Sequence, residues 1–246
     1  MGDKQRRRRQ FLARHPRCFT CGEPSSEIDH LPSRACFDGR DWPEGFEFPV
    51  CRACNNSTAQ DEQFLALLSR SYNSPEAPVI DAEIDRYLAG TRNNNPELFL
   101  SMWQSIHKAD PTFGPDTSLI ELGPEVKKCV KRVLPRWGRA FHYLETEEIL
   151  PLGEDIYGDM FTVDDVQKGR VPAPLLSLKR RPVMRGTKDL SPQFSFSSSV
   201  AEDASCCVYV VLFRRAFGAW MAVDKNKISA GPEAEFSKLP KLKLVS

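Results

Sequence analysis

Cys18 and Cys21 are separated by two residues, and Cys51 and Cys54 repeat that spacing. Each pair closes a short loop that turns both sulfurs to one side, so the four thiolates fit around a single tetrahedral Zn²⁺. Asp29 and His30 stand side by side inside the loop between the pairs, and Asn55 directly follows the last cysteine. A structural staple and a candidate active site therefore share about forty residues. Cys36, Cys129, Cys206 and Cys207 have no partner at ligand spacing and read as free thiols; the last three sit in apolar patterns that imply burial.

The local run is specific. Asp29-His30-Leu31-Pro32 is followed by Phe48-Pro49-Val50-Cys51-Arg52-Ala53-Cys54-Asn55, and then by Asp61-Glu62-Gln63-Phe64. Over residues 15–72 this resembles the HNH endonuclease superfamily in its four-cysteine form, including bacterial HNH proteins with an additional C-terminal domain. The resemblance implies a zinc-stapled ββα-metal unit, treble-clef-like, that hydrolyses nucleic-acid phosphodiester bonds, DNA in preference to RNA. It gives His30 the role of general base, which a neutral imidazole can fill near pH 7. It gives Asp29 and Asn55 the role of holding a catalytic Mg²⁺ or Mn²⁺, for which oxygen ligands are suited. Arg52 and Arg34 would contact the phosphate, and the zinc would be structural.

Glu62 lies seven residues after Asn55, two helical turns on, and so shares its face. It could orient a metal-bound water, but a solvated helix carboxylate is the favoured reading. One departure from the family stands out: residues 44–50 contain no asparagine to orient the histidine, so backbone carbonyls or Glu47 would have to replace it. That departure keeps a second reading open, a non-catalytic zinc module that binds nucleic acid or protein. A third is an interaction protein whose C-terminal β region is the functional part. His15, His107 and His142 have no adjacent acid at motif spacing; His142 reads as a buried, hydrogen-bonded histidine, although Arg139-x-x-His142-Tyr143 resembles the region after the HNH unit in the same bacterial proteins.

The rest of the chain must position this unit. Its 246 residues suffice for one large domain or two modest ones, with ample material for a core. Thirty-four Lys and Arg against 33 Asp and Glu give no global attraction to a polyanion. Locally, residues 1–17 carry seven Lys or Arg against Asp3 alone, a cluster able to reach phosphates or to remain a solvated, frayed tail. No run is long and apolar enough to cross a bilayer or act as a signal peptide, so the expected location is cytoplasmic.

Apolar spacing predicts helices over 58–72, over 81–89 with Gly90 ending it, and from Pro96 to about Lys108, the first two joined by a Pro-containing link at 73–78. A further helix over 124–144 carries Lys127, Lys128, Lys131, Arg132, Arg136 and Arg139 on its outer surface, with Pro135 kinking or splitting it. Beyond Pro151, strands at 193–200, 206–213 and 219–223 suggest an antiparallel meander, preceded by a basic loop or edge strand with Lys179, Arg180, Arg181, Arg185 and Lys188. The expected organisation is α+β: a basic tail (1–14), the HNH zinc/nuclease unit (15–72), a helical region (73–148) and a small antiparallel β-rich C-terminal domain (149–246).

Overall fold

The computed structural model describes residues 2–70, 81–104, 106–108, 118–120, 123–154, 156–214 and 217–225. The 73–78 link, the last two residues of the helix expected at 58–72, and residues 226–246 of the C-terminal region lie outside these. The fold is mixed α+β with antiparallel sheets. Among the described residues no helix is long and apolar enough to cross a membrane.

The first element corrects the frayed-tail reading: Asp3–Arg14 is a helix, α1, opened by Asp3 and closed by Arg14 in the sense that favours the helix dipole. Arg8 donates to the Ser26 carbonyl at 2.8 Å, and His15 just beyond the helix shares a 2.8 Å hydrogen bond with the Tyr143 hydroxyl. Strand β1 (Glu27–His30) pairs antiparallel with β2 (Glu47–Val50), with Asp29 opposite Phe48 and His30 opposite Glu47. The short helix α2 (Arg52–Asn56) and then α3 (Ala59–Arg70) complete this unit.

Helix α4 spans Asp81–Asn94, running through Gly90, whose cost in a helix is about 1 kcal/mol and insufficient to stop it. Helix α5 (Pro96–Gln104) stops short of Lys108, because Ile106–Lys108 forms β3 and pairs with β4 (Ser118–Ile120). Helix α6 runs unbroken from Pro124 to Thr146 through Pro135. A mid-helix proline costs about 3 kcal/mol, and the apolar stripe buried on both sides of it (Val126, Val130, Val133, Trp137, Ala140, Phe141) outweighs that.

Strand β5 (Ile156–Thr162) leads through helices α7 (Val163–Gln167) and α8 (Ala173–Leu176) to a small hairpin of β6 (Met184–Arg185) and β7 (Lys188–Asp189). Strands β8 (Phe194–Val200), β9 (Cys206–Phe213) and β10 (Phe217–Asp224) form the expected meander, and β5 adds to its edge in the order β5-β10-β9-β8. β5 was not legible as a strand, since Gly158 and Asp159 interrupt any alternation and most of its side chains stay partly exposed.

Both faces of β9 are buried, which explains its near-continuous apolar run. Cys207, Tyr209, Val211 and Phe213 face α6, and Val208 and Val210 face Val171, Leu175 and Leu178. Gly138 allows α6 to lie close on the sheet, for a Cβ there would sit 2.6 Å from Ile156 Cγ2. One hydrophobic core extends from Cys18, Phe19 and Phe48 through α3 and α6 to β8–β10, so the zinc unit and the β region share an interior instead of owning one each. Asp38 reinforces the junction: it accepts from Arg70 of α3 at 2.7 Å and from Arg214 beyond β9 at 2.6 Å, and its N–H donates to Gln193 Oε1 at 2.9 Å.

Candidate functional site

Local backbone geometry gathers the cysteines. Gly22, at φ +76°, lets the chain turn back after Cys21, so that the Gly22 N–H reaches the Cys18 carbonyl at 2.9 Å. Cys51 caps α2 with its sulfur, which accepts from the Cys54 N–H at 3.4 Å. The four sulfurs lie within 4.8 Å of one another, and Cys21 Sγ is 3.8 Å from Cys51 Sγ. A tetrahedron with Zn–S bonds of about 2.3 Å has edges of about 3.8 Å, so the cluster fits zinc.

The thiols themselves are unequal. Burial pushes Cys18 up, but N–H groups of Cys51, Cys21 and Thr20 bring it net down to about 7, whereas burial drives Cys21 and Cys54 up. A divalent cation is what would let the whole set ionise together. The protein purified without chelator is expected to carry one equivalent of zinc by elemental analysis, and Cys54→Ser to lose it. Loss should be read locally, as faster amide exchange in β1 and β2 with β9 still protected. Full occupancy in Cys54→Ser, or zinc-free parent protein, would exclude this centre.

Strand alternation sends Asp29 and His30 to opposite sides of β1. His30 faces a cleft of about 1190 Å³ walled by α1, Arg34, Trp42, Asn55 and Arg185. Its ring meets Trp42 edge-on with centroids 4.5 Å apart, and no ring nitrogen is hydrogen-bonded among the described residues. Burial first, then the positive charges of Arg34, Arg185 and Arg40, lower His30 to about 4. The imidazole is therefore neutral, and its nitrogens are available, throughout the physiological range. Glu47 does not act on it: that carboxylate accepts from Trp42 Nε1 at 3.0 Å and from the Gly45 N–H at 3.1 Å, and so fixes the indole.

The cleft is cationic because its Lys and Arg outnumber Asp3, Glu27, Glu44 and Glu47, and two of those acids are ion-paired with Arg6 and Arg52. Glu27 accepts from Asn55 Nδ2 at 2.6 Å and from Arg52 Nε at 3.2 Å, and Asn55 followed by Arg52 holds its carboxyl below the usual range. Asp3 pairs with Arg6, and Glu44 accepts from the Gly186 N–H. Lys4, Arg7, Arg8, Arg14, Arg34 and Arg185 line the same space with no ion-pair partner among the described residues.

Asp29 points the other way, into the protein. Its Oδ1 accepts the His30 backbone N–H at 2.8 Å, and its Oδ2 accepts from Arg136 Nη2. Arg136, on α6 and with its side chain 4% exposed, also donates to Thr58 Oγ1 and lies 3.3 Å from Glu62 Oε1. Two buried carboxylates thus share one guanidinium. Burial, then the charge of Asp29, raises Glu62 to about 7, and burial raises Asp29 against the pull of Arg136.

Several sequence expectations change here. Glu62 is a buried member of an ionic cluster, not a solvated carboxylate, because α6 covers it. Arg136 and Arg139 are buried instead of lying on the outer surface, and Arg139 donates to the Leu150 carbonyl at 2.7 Å. Arg52 stays exposed against Glu27, while Arg34 reaches the cleft. His30 and Asn55 share the cleft, whereas Asp29 is held behind them. As arranged, Asp29 and Asn55 do not fit a shared Mg²⁺ or Mn²⁺, since Asp29 lies outside the cleft that Asn55 lines and its Oδ2 is held by Arg136. His142 is fully buried, with Nδ1 3.1 Å from the Tyr209 hydroxyl.

Trp42 was not singled out from sequence, and Arg136 and Arg185 were named only within basic stretches, whereas the α1 cations were read as a cluster able to reach phosphates. One signal was available for Arg136: it falls seven residues after Cys129, on the apolar stripe of α6, where an arginine must find a buried partner. No protein-family model, curated protein or solved structure matches the chain.

Proposed function

We propose that the protein is an HNH-type nuclease that hydrolyses phosphodiester bonds in nucleic acid, DNA in preference to RNA, with His30 as the general base. The observation that supports this most directly is a neutral, unbonded imidazole facing a cleft lined by six cations without ion-pair partners. The cations would draw in the polyanion and hold its phosphate oxygens, and His30 would take a proton from the attacking water. Zinc would hold β1 and β2 in place and take no part in the reaction. In the resemblance, Mg²⁺ or Mn²⁺ at Asp29 and Asn55 would neutralise charge on the leaving oxygen. The donor set in this arrangement does not fit that cation, and no step is assigned to it.

A second reading is favoured by that same cluster. With Asp29 already neutralised by Arg136 and no asparagine at residues 44–50, the unit could be a zinc module that binds nucleic acid without cutting it. Cleavage of supercoiled plasmid, linear duplex and single strands, with and without added Mg²⁺ or Mn²⁺, separates the two. Nicked or linear product that depends on His30 is expected. A parent protein that retains zinc and binds DNA, yet cuts no substrate with any divalent metal, would replace the nuclease by the binding module.

A further inference from the structure

The β6–β7 hairpin lies far along the chain from the zinc unit, yet it is bolted to the wall of the His30 cleft. Glu44 N–H donates to the Met184 carbonyl at 2.9 Å, the Gly186 N–H returns to Glu44 Oε1 at 2.9 Å, and Lys188 pairs with Asp41 at 2.8 Å. Val183 and Leu190 anchor its two ends in the core. The turn at Gly186, with φ +57°, therefore has a fixed position, and it delivers Arg185 to the cleft.

There Arg185 meets Trp42, with its guanidinium carbon 3.8 Å from the ring centroid, and Arg34 stands 3.9 Å from the same centroid. Two planar guanidiniums that close to one centroid cannot share a face without overlapping, so they sandwich the indole. Glu47, bonded to Trp42 Nε1, keeps the indole from turning. Neither arginine side chain has an ion pair or hydrogen bond among the described residues, and Arg34 Nε is buried without a partner. Stacking on an aromatic face orients a guanidinium and leaves its edge donors free, the arrangement that suits bidentate contact with phosphate oxygens. The two cations flank the Trp42 ring against which His30 packs, and burial, then the charges of Arg40 and Arg185, lower the Arg34 pKa against the pull of Asp41.

We propose that Arg185, with Arg34 and Trp42, forms a phosphate clamp that seats a nucleic-acid strand at His30, and that the β6–β7 hairpin is the part of the C-terminal region that completes the site. A strand fits better than a small phosphate, because the cleft continues from the clamp along Lys4, Arg7, Arg8 and Arg14. The inference deepens the nuclease reading and rests on it for the role of His30, but the clamp can be tested without cleavage.

The test measures binding of a fluorescein-labelled DNA duplex by anisotropy across a salt series, with no divalent metal added. Arg185→Ala should weaken binding about tenfold and reduce the slope of log K against log salt by about one. Arg185→Lys should restore the slope but not the affinity, since charge returns without the planar fork. Arg180→Ala, in the same basic segment but outside the cleft, should match the parent. Parental affinity and slope in Arg185→Ala, with unchanged Tm, would overturn the clamp, as would inorganic phosphate competing as strongly per phosphate as the duplex. A parent that binds through Arg185 yet never cuts keeps the clamp and removes the nuclease. A parent that cuts while Arg185→Ala binds and cuts equally well keeps the nuclease and removes the clamp.

Discussion

Arg136→Met is expected to destabilise the folded protein by about 3–5 kcal/mol, the usual cost of deleting one partner from a buried ionic cluster. The guanidinium is 4% exposed and serves Asp29, Glu62 and Thr58 at once, so its removal leaves two carboxylates in the interior with no counter-charge. Methionine fills a similar volume, which keeps a cavity from causing the loss. Denaturant melts would show a lower midpoint at constant slope. Adding Asp29→Asn and Glu62→Gln to Arg136→Met should recover most of the deficit, because neutral amides need no cation. A midpoint in Arg136→Met equal to the parent's would refute the cluster.

The pH dependence follows from the raised pKa of Glu62. Its folded value of about 7 stands above the ordinary 4.5, so the folded state holds this proton more tightly than the unfolded chain does. The contribution is complete below about pH 4.5 and lost as pH rises through 7. The triple variant should lack this decline.

His30→Ala is expected to lower cleavage by about 10²-fold or more while leaving zinc content and melting unchanged. The side chain is half-buried and makes no side-chain hydrogen bond among the described residues, so little of the fold depends on it. The pH profile gives a sharper signature. A base with an ordinary histidine pKa would lose activity below about pH 6.5, whereas burial and the arginines hold His30 near 4. It remains unprotonated down to that value, and the acid limb of kcat/KM, which reports the free protein, should fall near pH 4 in buffers where zinc is retained. Parental rates in His30→Ala, or an acid limb near 6.5 in the parent, would contradict the role assigned to this imidazole.

What was legible in the chain divides along physical lines. The cysteine cluster could be read because its chemistry depends on spacing over two short loops, and the meander because β8, β9 and β10 carry strong local β-forming runs. Asp29, His30 and Asn55 could be named as reactive types, but their company could not. The partner of Asp29 comes from α6, and a cation beside His30 comes from the β6–β7 turn, so each depends on packing between distant segments. The change from helices to strands near residue 149 marks a change of backbone geometry, while the buried side chains of α6 share one core with the residues around the cysteines and with β8–β10.

The reach of α6 bears on how such a unit can be inherited. Zinc-stapled units are self-contained in principle, since a metal supplies the stability that a small core lacks. Here the charge that balances Asp29 is contributed from 107 residues downstream, on a helix that also packs on α3, α5 and the sheet. Moving residues 15–70 into another protein would transfer the zinc site and the histidine but leave an acid buried beneath them. The cysteine-bearing unit and its scaffold must therefore change together, and a substitution on α6 reaches β1 as directly as one within the cysteine loops.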